Sequence, residues 1–317
     1  MLFNFVARRA LSRGFSSKCS QQLLQPRHIQ ALILDGAGTL FDFGCTAVNK
    51  AFKKYFAERN IHLTREQIDS FTGSNKIDHL KALYNAEFVR KQIPGSKIKT
   101  FPLEGEAGAE EFYQKEYEAY KKTQLNVFKT DYMTMRLIPG VCEFILAQQK
   151  KGVKVGITSG YDAEMMNLIV TKLNNQGFFA NAVVSSTGMP SRPDPGMCLE
   201  AAKQMAVDPE YCVVVDDTRI GIQAGKNAGM IAVGVVDSSV DFGLSEREHG
   251  ELRVYDYPSF ARQEKLIKEH LMAAGADYTV PTLGHYKMSS VLSQVEAVFQ
   301  SKEASKLQKT PNLTVGC

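Results

Sequence analysis

The chain has 317 residues, of which 44% are hydrophobic and 23% are charged. This composition is typical of a globular protein with one large domain, or with a core domain and a smaller companion. No apolar run reaches the roughly 20 residues that a transmembrane helix needs, so we expect no membrane association.

Positive charge is concentrated at the N-terminus. Residues 1–27 contain five basic residues and no acidic ones, which leaves 33 basic against 34 acidic residues in the rest of the chain. The body therefore lacks the basic surface that nucleic-acid binding requires. The Arg- and Ser-rich leader is typical of a mitochondrial transit peptide, although a basic tail without a targeting role has the same composition. We expect a location in the mitochondrial matrix, or in the cytoplasm if the leader is not used.

Short apolar runs predict the strands of a buried parallel sheet. In chain order they lie at 29–35, 153–158, 182–185, 212–216 and 231–236. Helical patterns alternate with the later runs, at 141–151, 163–173, 196–205 and 220–227. This alternation predicts a doubly wound, Rossmann-like α/β core.

More than a hundred residues separate the first two predicted strands, and they have helical patterns at 48–59, 76–83 and 109–122. We therefore expect a helical cap domain inserted into the core. The predicted domains are a leader at 1–27, a core made of 28–46 and 131–302, a cap at 47–130 and a disordered tail at 303–317.

Two of the predicted strands end in acidic residues: Asp35 before Gly36-Ala37-Gly38-Thr39, and Asp216 with Asp217. Ligands of open α/β sheets bind beyond the carboxyl ends of the strands. Asp35 before a tight Gly loop suits a nucleophile that attacks phosphorus. Neighbouring carboxylates repel one another, and Mg²⁺ would relieve that repulsion. Each pattern alone also fits a simple turn or a helix cap.

Polar and basic groups follow two other predicted strands. Thr158-Ser159-Gly160-Tyr161 could hold a phosphate with hydroxyl and backbone N–H groups, and Arg192 could neutralise a phosphoryl oxygen. Taken singly, a helix cap and a surface arginine are the more ordinary interpretations. The order along the chain is strand–Asp, strand–Thr/Ser, loop–base and strand–Asp-Asp. This order resembles the four motifs of the haloacid dehalogenase superfamily.

Ala37 stands where the common phosphatases of that superfamily carry a second Asp, which protonates the departing alcohol oxygen. A methyl group cannot donate a proton. Lys76 and His79 lie three residues apart at the start of a predicted helix and share a face. The helix dipole and burial would lower the pKa of Lys76, and a neutral amine condenses with an aldehyde. The alternative is a solvated surface lysine.

An imine would explain the missing acid. Heterolytic cleavage of a C–P bond leaves a carbanion, which is a poor leaving group. A protonated imine on the adjacent carbon accepts the electron pair and becomes an enamine. The loss of the acid at Ala37 and the presence of Lys76 therefore fit one mechanism.

The segments DGAGTLFDFG and GSNKIDH, with ITSGYDAEMM, SRPDPGMC, KNAGM and DSSVDFGLSE, resemble the phosphonatase (phosphonoacetaldehyde hydrolase) family of the superfamily. The resemblance covers most of 29–79 and 136–300 and is weak across 80–135. It implies conversion of phosphonoacetaldehyde and water to acetaldehyde and phosphate, and a homodimer formed through the cap.

The resemblance also implies roles for individual residues. The catalytic residues would be the nucleophile Asp35, the Schiff-base lysine Lys76 and His79, which would assist proton transfer near the amine. The Mg²⁺ ligands would be Asp35, the Ala37 carbonyl oxygen and Asp217, with Asp216 as a neighbouring acid. The phosphonate and pocket contacts would come from Thr158, Ser159, Arg192, Cys45 and Tyr161.

The chain departs from the family pattern at three positions near these residues. Gly36 replaces a frequent aromatic residue, Thr72 replaces Met, and Gly221 replaces a second acid. Two alternatives therefore stay open. One is a phosphatase or phosphomutase of the superfamily that acts on a small phosphate ester, and the other is a phosphonate-binding protein without turnover.

Overall fold

The computed structural model describes residues 28–95, 100–131 and 135–309. The predicted leader and the last residues of the predicted tail, 310–317, lie outside this range. The described chain divides into two units, residues 29–291 and a smaller one that comprises His28 and residues 292–309. The sheet and every site residue discussed below belong to the first unit.

After residue 140 the described strands alternate with helices, with two successive helices between the fifth and sixth strands. In chain order the described elements are β1 (Ala31–Asp35), α1 (Thr46–Ala57), α2 (Arg65–Asp69), α3 (Lys76–Asn85), α4 (Glu87–Arg90), α5 (Ala109–Thr130), α6 (Val141–Lys150), β2 (Lys154–Thr158), α7 (Ala163–Asn174), β3 (Ala182–Val184), α8 (Gly196–Gln204), β4 (Cys212–Asp216), α9 (Arg219–Asn227), β5 (Ile231–Val235), α10 (Glu246–Tyr255), α11 (Tyr257–Ala273), β6 (Tyr278–Val280) and α12 (Lys287–Lys309). None of these helices combines the length and hydrophobicity of a transmembrane span.

The strands form one parallel sheet in the order β3-β2-β1-β4-β5-β6. Strand β1 lies near the middle, between β2 and β4, and both β1 and β4 are buried along their whole length. Strands covered on both faces are apolar throughout, which is why these runs show no alternation of polar residues. The predicted α/β fold with a Rossmann-like sheet is confirmed.

Helices α1 to α5 occupy the interval between β1 and β2, and we call residues 46–130 the helical insert. Its interior contains many aromatic rings. Helices α1 and α5, for example, pack together through Phe52 and Tyr120, whose ring centroids lie 4.2 Å apart. The insert belongs to the same unit as the sheet. The boundaries of a separate cap domain therefore stay a prediction.

Several elements extend or add to the predicted pattern. Helix α5 continues to Thr130, because its buried positions continue through Val127 and Phe128. Helix α12 continues to Lys309, which corrects the expected start of the tail at residue 303. That stretch lacks hydrophobic periodicity but is rich in Lys, Glu, Ala and Gln, which favour helix intrinsically. Strand β6 was not predicted because its three residues are too short to show a period.

Candidate active site

The register of the sheet brings three of the predicted polar residues to one edge. Asp35 at the end of β1 pairs with Thr158 at the end of β2. On its other side, Leu34 pairs with Val215, so Asp35 is level with Asp216 at the end of β4. The sequence prediction that these strand ends form one site requires this register, and the structure has it.

Arg192 lies buried among these strand ends and contacts all three. Its Nη1 lies 2.6 Å from Asp35 Oδ1 and 3.2 Å from Asp216 Oδ2, and its Nη2 donates to Thr158 Oγ1 at 2.9 Å. Burial and the nearby Asp216 raise the pKa of Asp35 to about 7, although Arg192 opposes the shift. The guanidinium is thus a cation that partly compensates a buried cluster of acids.

Asp217 completes a cluster of three buried carboxylates. Asp35, Asp216 and Asp217 each offer an oxygen within 4.8 Å of the others. Burial, with the charges of Asp35 and Asp216, raises the pKa of Asp217 well above its ordinary value. Oxygen ligands this close and this poorly compensated fit a hard divalent cation such as Mg²⁺, so the donor set suits the predicted metal.

Glycine at position 38 makes room for this cluster. Gly38 has φ +84°, and a Cβ placed there would collide with the carboxylate of Asp217. Asp217 also accepts hydrogen bonds from Thr39 Oγ1 at 3.2 Å and from the Val240 backbone N–H at 3.0 Å. The Asp35 loop and Asp217 therefore interlock, and residue 38 has to be glycine.

The missing acid at position 221 has a steric explanation. A Cβ on Gly221 would overlap the carboxylate of Asp216, which occupies that space. The backbone N–H and the hydroxyl of Thr218 each donate to Asp216 Oδ1 at 2.8 Å and hold it there. Asp216 thus places a carboxylate beside Gly221, the position at which the family pattern has a second acid.

Lys76 is buried in a small cavity that also contains Asp35. Lys76 is the first residue of helix α3, and only 5% of its surface is exposed to solvent. Burial, assisted by the charge of Arg192, lowers the pKa of Lys76 to about 8, although Asp35 and Asp217 oppose the shift. An amine with this pKa is partly neutral near physiological pH and can act as a nucleophile. The alternative of a solvated lysine does not describe this side chain.

Most of the predicted site residues line the Lys76 cavity. Those that do are Asp35, Ala37, Cys45, Lys76, Ser159, Tyr161 and Arg192. The Nζ of Lys76 lies 5.0 Å from the centre of the Tyr161 ring, within cation–π range. The hydroxyl of Tyr161 is buried without a hydrogen-bond partner among the described residues. Cys45 Sγ lies 3.8 Å from Asp217 Oδ2, and burial raises the pKa of its thiol.

His79 does not line this cavity. Its ring packs on Phe52 with centroids 4.3 Å apart, and its Nε2 donates to the Ile68 carbonyl oxygen at 2.9 Å. Burial and the nearby Lys76 lower the pKa of His79 well below its ordinary value. The ring is therefore neutral, and its Nδ1 acceptor has no hydrogen-bond partner among the residues that the structure describes. Its predicted part in proton transfer stays a prediction.

The two other departures from the family pattern are at Gly36, in the loop after Asp35, and at Thr72, in the cavity wall. A Cβ on Gly36 would lie 3.1 Å from the ring of Phe41, so that ring fills space beside the loop. Thr72 lines the cavity, and its hydroxyl oxygen is buried without a hydrogen-bond partner in the described structure. The space beside Gly36 is therefore less open than a glycine alone suggests.

The loop after β5 contributes residues that the sequence analysis missed. Ser238 Oγ donates to the Gly38 carbonyl oxygen at 2.6 Å, and the backbone of Val240 bonds Asp217. The sequence did indicate that this loop could contribute to the site, because it follows an apolar strand of a parallel sheet. The hydroxyls at 238 and 239 carry no charge, so they did not stand out as strand-end ligands.

The site as a whole combines the buried carboxylate of Asp35, a cationic clamp formed by the guanidinium of Arg192, a candidate divalent-cation site and the Lys76 amine, whose pKa is lowered. The carboxylate and the clamp suit transfer of a phosphoryl group. The amine suits imine formation with a carbonyl compound. The Lys76 cavity therefore brings the amine and the Asp35 carboxylate together in one place.

Known proteins resemble this chain in both sequence and architecture. The family model described as haloacid dehalogenase-like hydrolase matches residues 32–235. A phosphonoacetaldehyde hydrolase of Bacillus cytotoxicus is 32% identical over 80% of this chain and 92% of its own. Another from Bacillus cereus is 30% identical over 84% and 97% of the two chains.

A solved structure agrees with this similarity. The crystal structure of a phosphonoacetaldehyde hydrolase-like protein from Oleispira antarctica superimposes with a TM-score of 0.74 at 28% identity. The match covers 87% of this chain and 95% of that one. The similarity thus includes the helical insert as well as the sheet.

Proposed function

The chain belongs to the haloacid dehalogenase-like hydrolase family, and from this premise we propose that it hydrolyses the C–P bond of phosphonoacetaldehyde. The products are acetaldehyde and phosphate. The observation that carries the proposal is Lys76, a buried amine with a pKa of about 8 in the same cavity as Asp35. A hydrolase of phosphate esters needs no imine, and Ala37 offers it no general acid for the departing alcohol.

The first steps use Lys76 and Asp35. The Nζ of Lys76 attacks the aldehyde carbon, and loss of water gives a protonated imine. A carboxylate oxygen of Asp35 then attacks phosphorus, and the C–P bond breaks. Its electron pair moves into the imine, so the organic product is an enamine on Lys76, and Asp35 carries the phosphoryl group as an acyl phosphate.

Two hydrolyses complete the cycle. Protonation of the enamine at carbon restores an imine, and water releases acetaldehyde and the free amine. A second water attacks the aspartyl phosphate and releases phosphate. The water lost in imine formation balances the one that opens the imine, so one water is consumed overall.

The surrounding residues bind and orient the phosphonate. Arg192 lies against Asp35 and Thr158, so it can pair with phosphonate oxygens as the nucleophile attacks. Ser159 lines the same cavity and can donate from its hydroxyl. Asp35, Asp217 and the Ala37 carbonyl oxygen would hold Mg²⁺, with Asp216 beside them, and the ion would neutralise charge on the phosphoryl oxygens.

Trapping with borohydride tests the proposal directly. Purified protein with Mg²⁺ and phosphonoacetaldehyde should release phosphate, and borohydride should attach a reduced ethyl or phosphonoethyl group to Lys76, located by peptide mass spectrometry. Lys76→Arg keeps a positive charge but forms no imine. This variant should lose at least about a hundredfold in kcat and give no adduct.

The alternatives predict other outcomes. A phosphatase or phosphomutase of the superfamily would turn over a small phosphate ester and would keep its rate in Lys76→Ala, with no trapped adduct. A phosphonate-binding protein would bind the substrate without releasing phosphate. Either result would overturn the proposed reaction.

A further inference from the structure

The residues just before helix α3 are joined to two loops of the sheet edge by hydrogen bonds. The backbone N–H of Lys76 donates to the Gly160 carbonyl oxygen at 3.1 Å. The backbone N–H of Asn75 donates to Ser191 Oγ at 3.0 Å, and the Asn75 side-chain Nδ2 donates to the Met189 carbonyl oxygen at 3.1 Å. These bonds join positions that are up to 116 residues apart in the chain.

The contacts with Gly160 and Ser191 lie at or next to residues of the cavity. Ser191 precedes Arg192, which holds Asp35, and Gly160 lies between Ser159 and Tyr161. The backbone that carries Lys76 is therefore fixed to the loop that carries the cationic clamp. A change in these contacts would alter the distance between the amine and the Asp35 carboxylate.

Close backbone approach at this junction depends on glycine. A Cβ on Gly160 would lie 2.5 Å from the Ser74 carbonyl oxygen, and one on Gly73 would lie 2.8 Å from Ile220 Cγ1. Gly73 also has φ +102°, a conformation that other residues rarely adopt. The insert and the sheet edge thus meet backbone to backbone beside Lys76.

Contact between the residues around Lys76 and the sheet edge buries two polar groups at a cost in free energy. Asn75 is buried, and its Oδ1 has no hydrogen-bond partner among the described residues. A buried acceptor without a partner is destabilising, as is the burial of the Lys76 amine. Without the hydrogen bonds of Asn75 and Ser191, Asn75 Oδ1 and the Lys76 amine would have a lower free energy if they separated from the sheet edge and became hydrated.

We propose that Asn75 and Ser191 are positioning residues that hold Lys76 in the cavity over Asp35. The proposal rests on the proposed function for its catalytic meaning, since it concerns the amine that would form the imine. It goes further in assigning this task to two residues outside the predicted site. Neither lines the cavity, so both act through Lys76.

Labelling of Lys76 tests the proposal without any phosphonate. The full-length protein is treated over a range of pH with a lysine-selective acylating reagent, and peptide mass spectrometry measures the rate at Lys76. Asn75→Ala and Ser191→Ala should each speed labelling by about two- to tenfold, the effect of losing one hydrogen bond. The pH midpoint of labelling should also rise towards that of an ordinary lysine, because Lys76 gains water.

Asn85→Ala is the matched control on the same helix. Asn85 donates to the Lys81 carbonyl oxygen at 2.7 Å and to Tyr113 Oη at 3.0 Å, contacts that lie within the insert. Its loss should lower thermal stability without changing the labelling of Lys76. Equal labelling of wild type, Asn75→Ala and Ser191→Ala would overturn the proposal, as would an equal increase in Asn85→Ala.

Kinetics with phosphonoacetaldehyde separates this proposal from the proposed function. Asn75→Ala and Ser191→Ala should lower kcat more than they raise KM, because the phosphonate contacts remain. If wild type releases no phosphate but both variants expose Lys76, the proposed reaction fails and the positioning role stands. If wild type is active and the variants match it in kcat and in labelling, the positioning role fails alone.

Discussion

At the scale of single residues, the environment of Lys76 sets its chemistry. The sequence shows only a lysine at the start of a helix, and most lysines there are solvated. In the fold the amine is buried near Arg192, and these effects outweigh the attraction of Asp35 and Asp217, so its pKa falls to about 8. The same burial that makes the amine reactive must reduce the stability of the folded protein.

This cost predicts a pH-dependent effect of Lys76→Met. The folded pKa of about 8 lies below the ordinary 10.5, so the folded state binds the proton less well than the unfolded state. The penalty is complete below pH 8 and disappears above the unfolded pKa. In EDTA, we expect Lys76→Met to be more stable than wild type by about 3 kcal/mol at pH 7.

The difference between the two proteins should shrink by about 2 kcal/mol between pH 7 and pH 9.5. Urea unfolding at each pH measures it. Lys265→Met is the matched control, because Lys265 is exposed on helix α11. A stability difference for Lys76→Met that stays constant with pH would show that the amine is not perturbed.

At the scale of elements, the packing of helix α9 on strand β4 holds the carboxylate-bearing loop between them. Gly225 of α9 faces Val214 of β4, and a Cβ there would lie 2.8 Å from the valine Cβ. The loop from Asp216 to Thr218 joins these two elements and carries the hydrogen bonds that fix Asp216. Separating helix and strand should therefore disturb the site as well as the core.

Two Gly→Ala substitutions should change the free energy of unfolding in opposite directions. Gly225→Ala forces a methyl group against β4 and should cost about 1–3 kcal/mol of unfolding free energy. Gly250 of helix α10 has no atom within 4 Å of an added Cβ, so Gly250→Ala should add about 0.5–1 kcal/mol through helix propensity. Urea denaturation measures both, and a stabilising Gly225→Ala would contradict the close packing.

At the scale of the whole molecule, the site gathers negatively charged carboxylates from parts of the chain that are far apart in the sequence. Asp35 comes from β1, and Asp216 and Asp217 come from the end of β4, more than 180 residues later. Only folding brings Asp35 to Asp216 and Asp217, so the repulsion between Asp35 and the other two is absent from the unfolded chain. A cation that binds them therefore stabilises the folded state alone.

Magnesium should accordingly raise the melting temperature. At about one hundred times its Kd, Mg²⁺ should raise Tm by about 5 °C relative to EDTA, measured by calorimetry. Asp217→Asn should lose most of this response. Asp277→Asn, which alters a carboxylate paired with Lys226 outside the site, should retain it. An equal response in Asp217→Asn would place the ion elsewhere.

The leader and the assembly state also belong to this scale. We propose that residues 1–27 direct the chain to mitochondria, on the ground of their basic, acid-free composition. A fluorescent protein fused to those residues should then localise to the matrix. A homodimer through the insert is likewise a proposal, and light scattering of the purified protein measures it.

The sequence by itself determined what is local. Apolar runs of β-strand length gave the sheet, and the acids at their ends gave Asp35, Asp216 and Asp217 as one site, because parallel strands end at the same edge. The pairing of Ala37 with Lys76 indicated an amine in place of an acid. These inferences need only side-chain chemistry and the order of elements along the chain.

Tertiary structure decided what depends on distance and burial. It put Arg192 against Asp35, Asp216 and Thr158, buried Lys76, and turned His79 towards the Ile68 carbonyl instead of the cavity. The contacts of Asn75 with Ser191 and Met189 were also invisible in the sequence. Loss of water shifts a pKa only where the packed chain excludes it, and no local pattern encodes that packing.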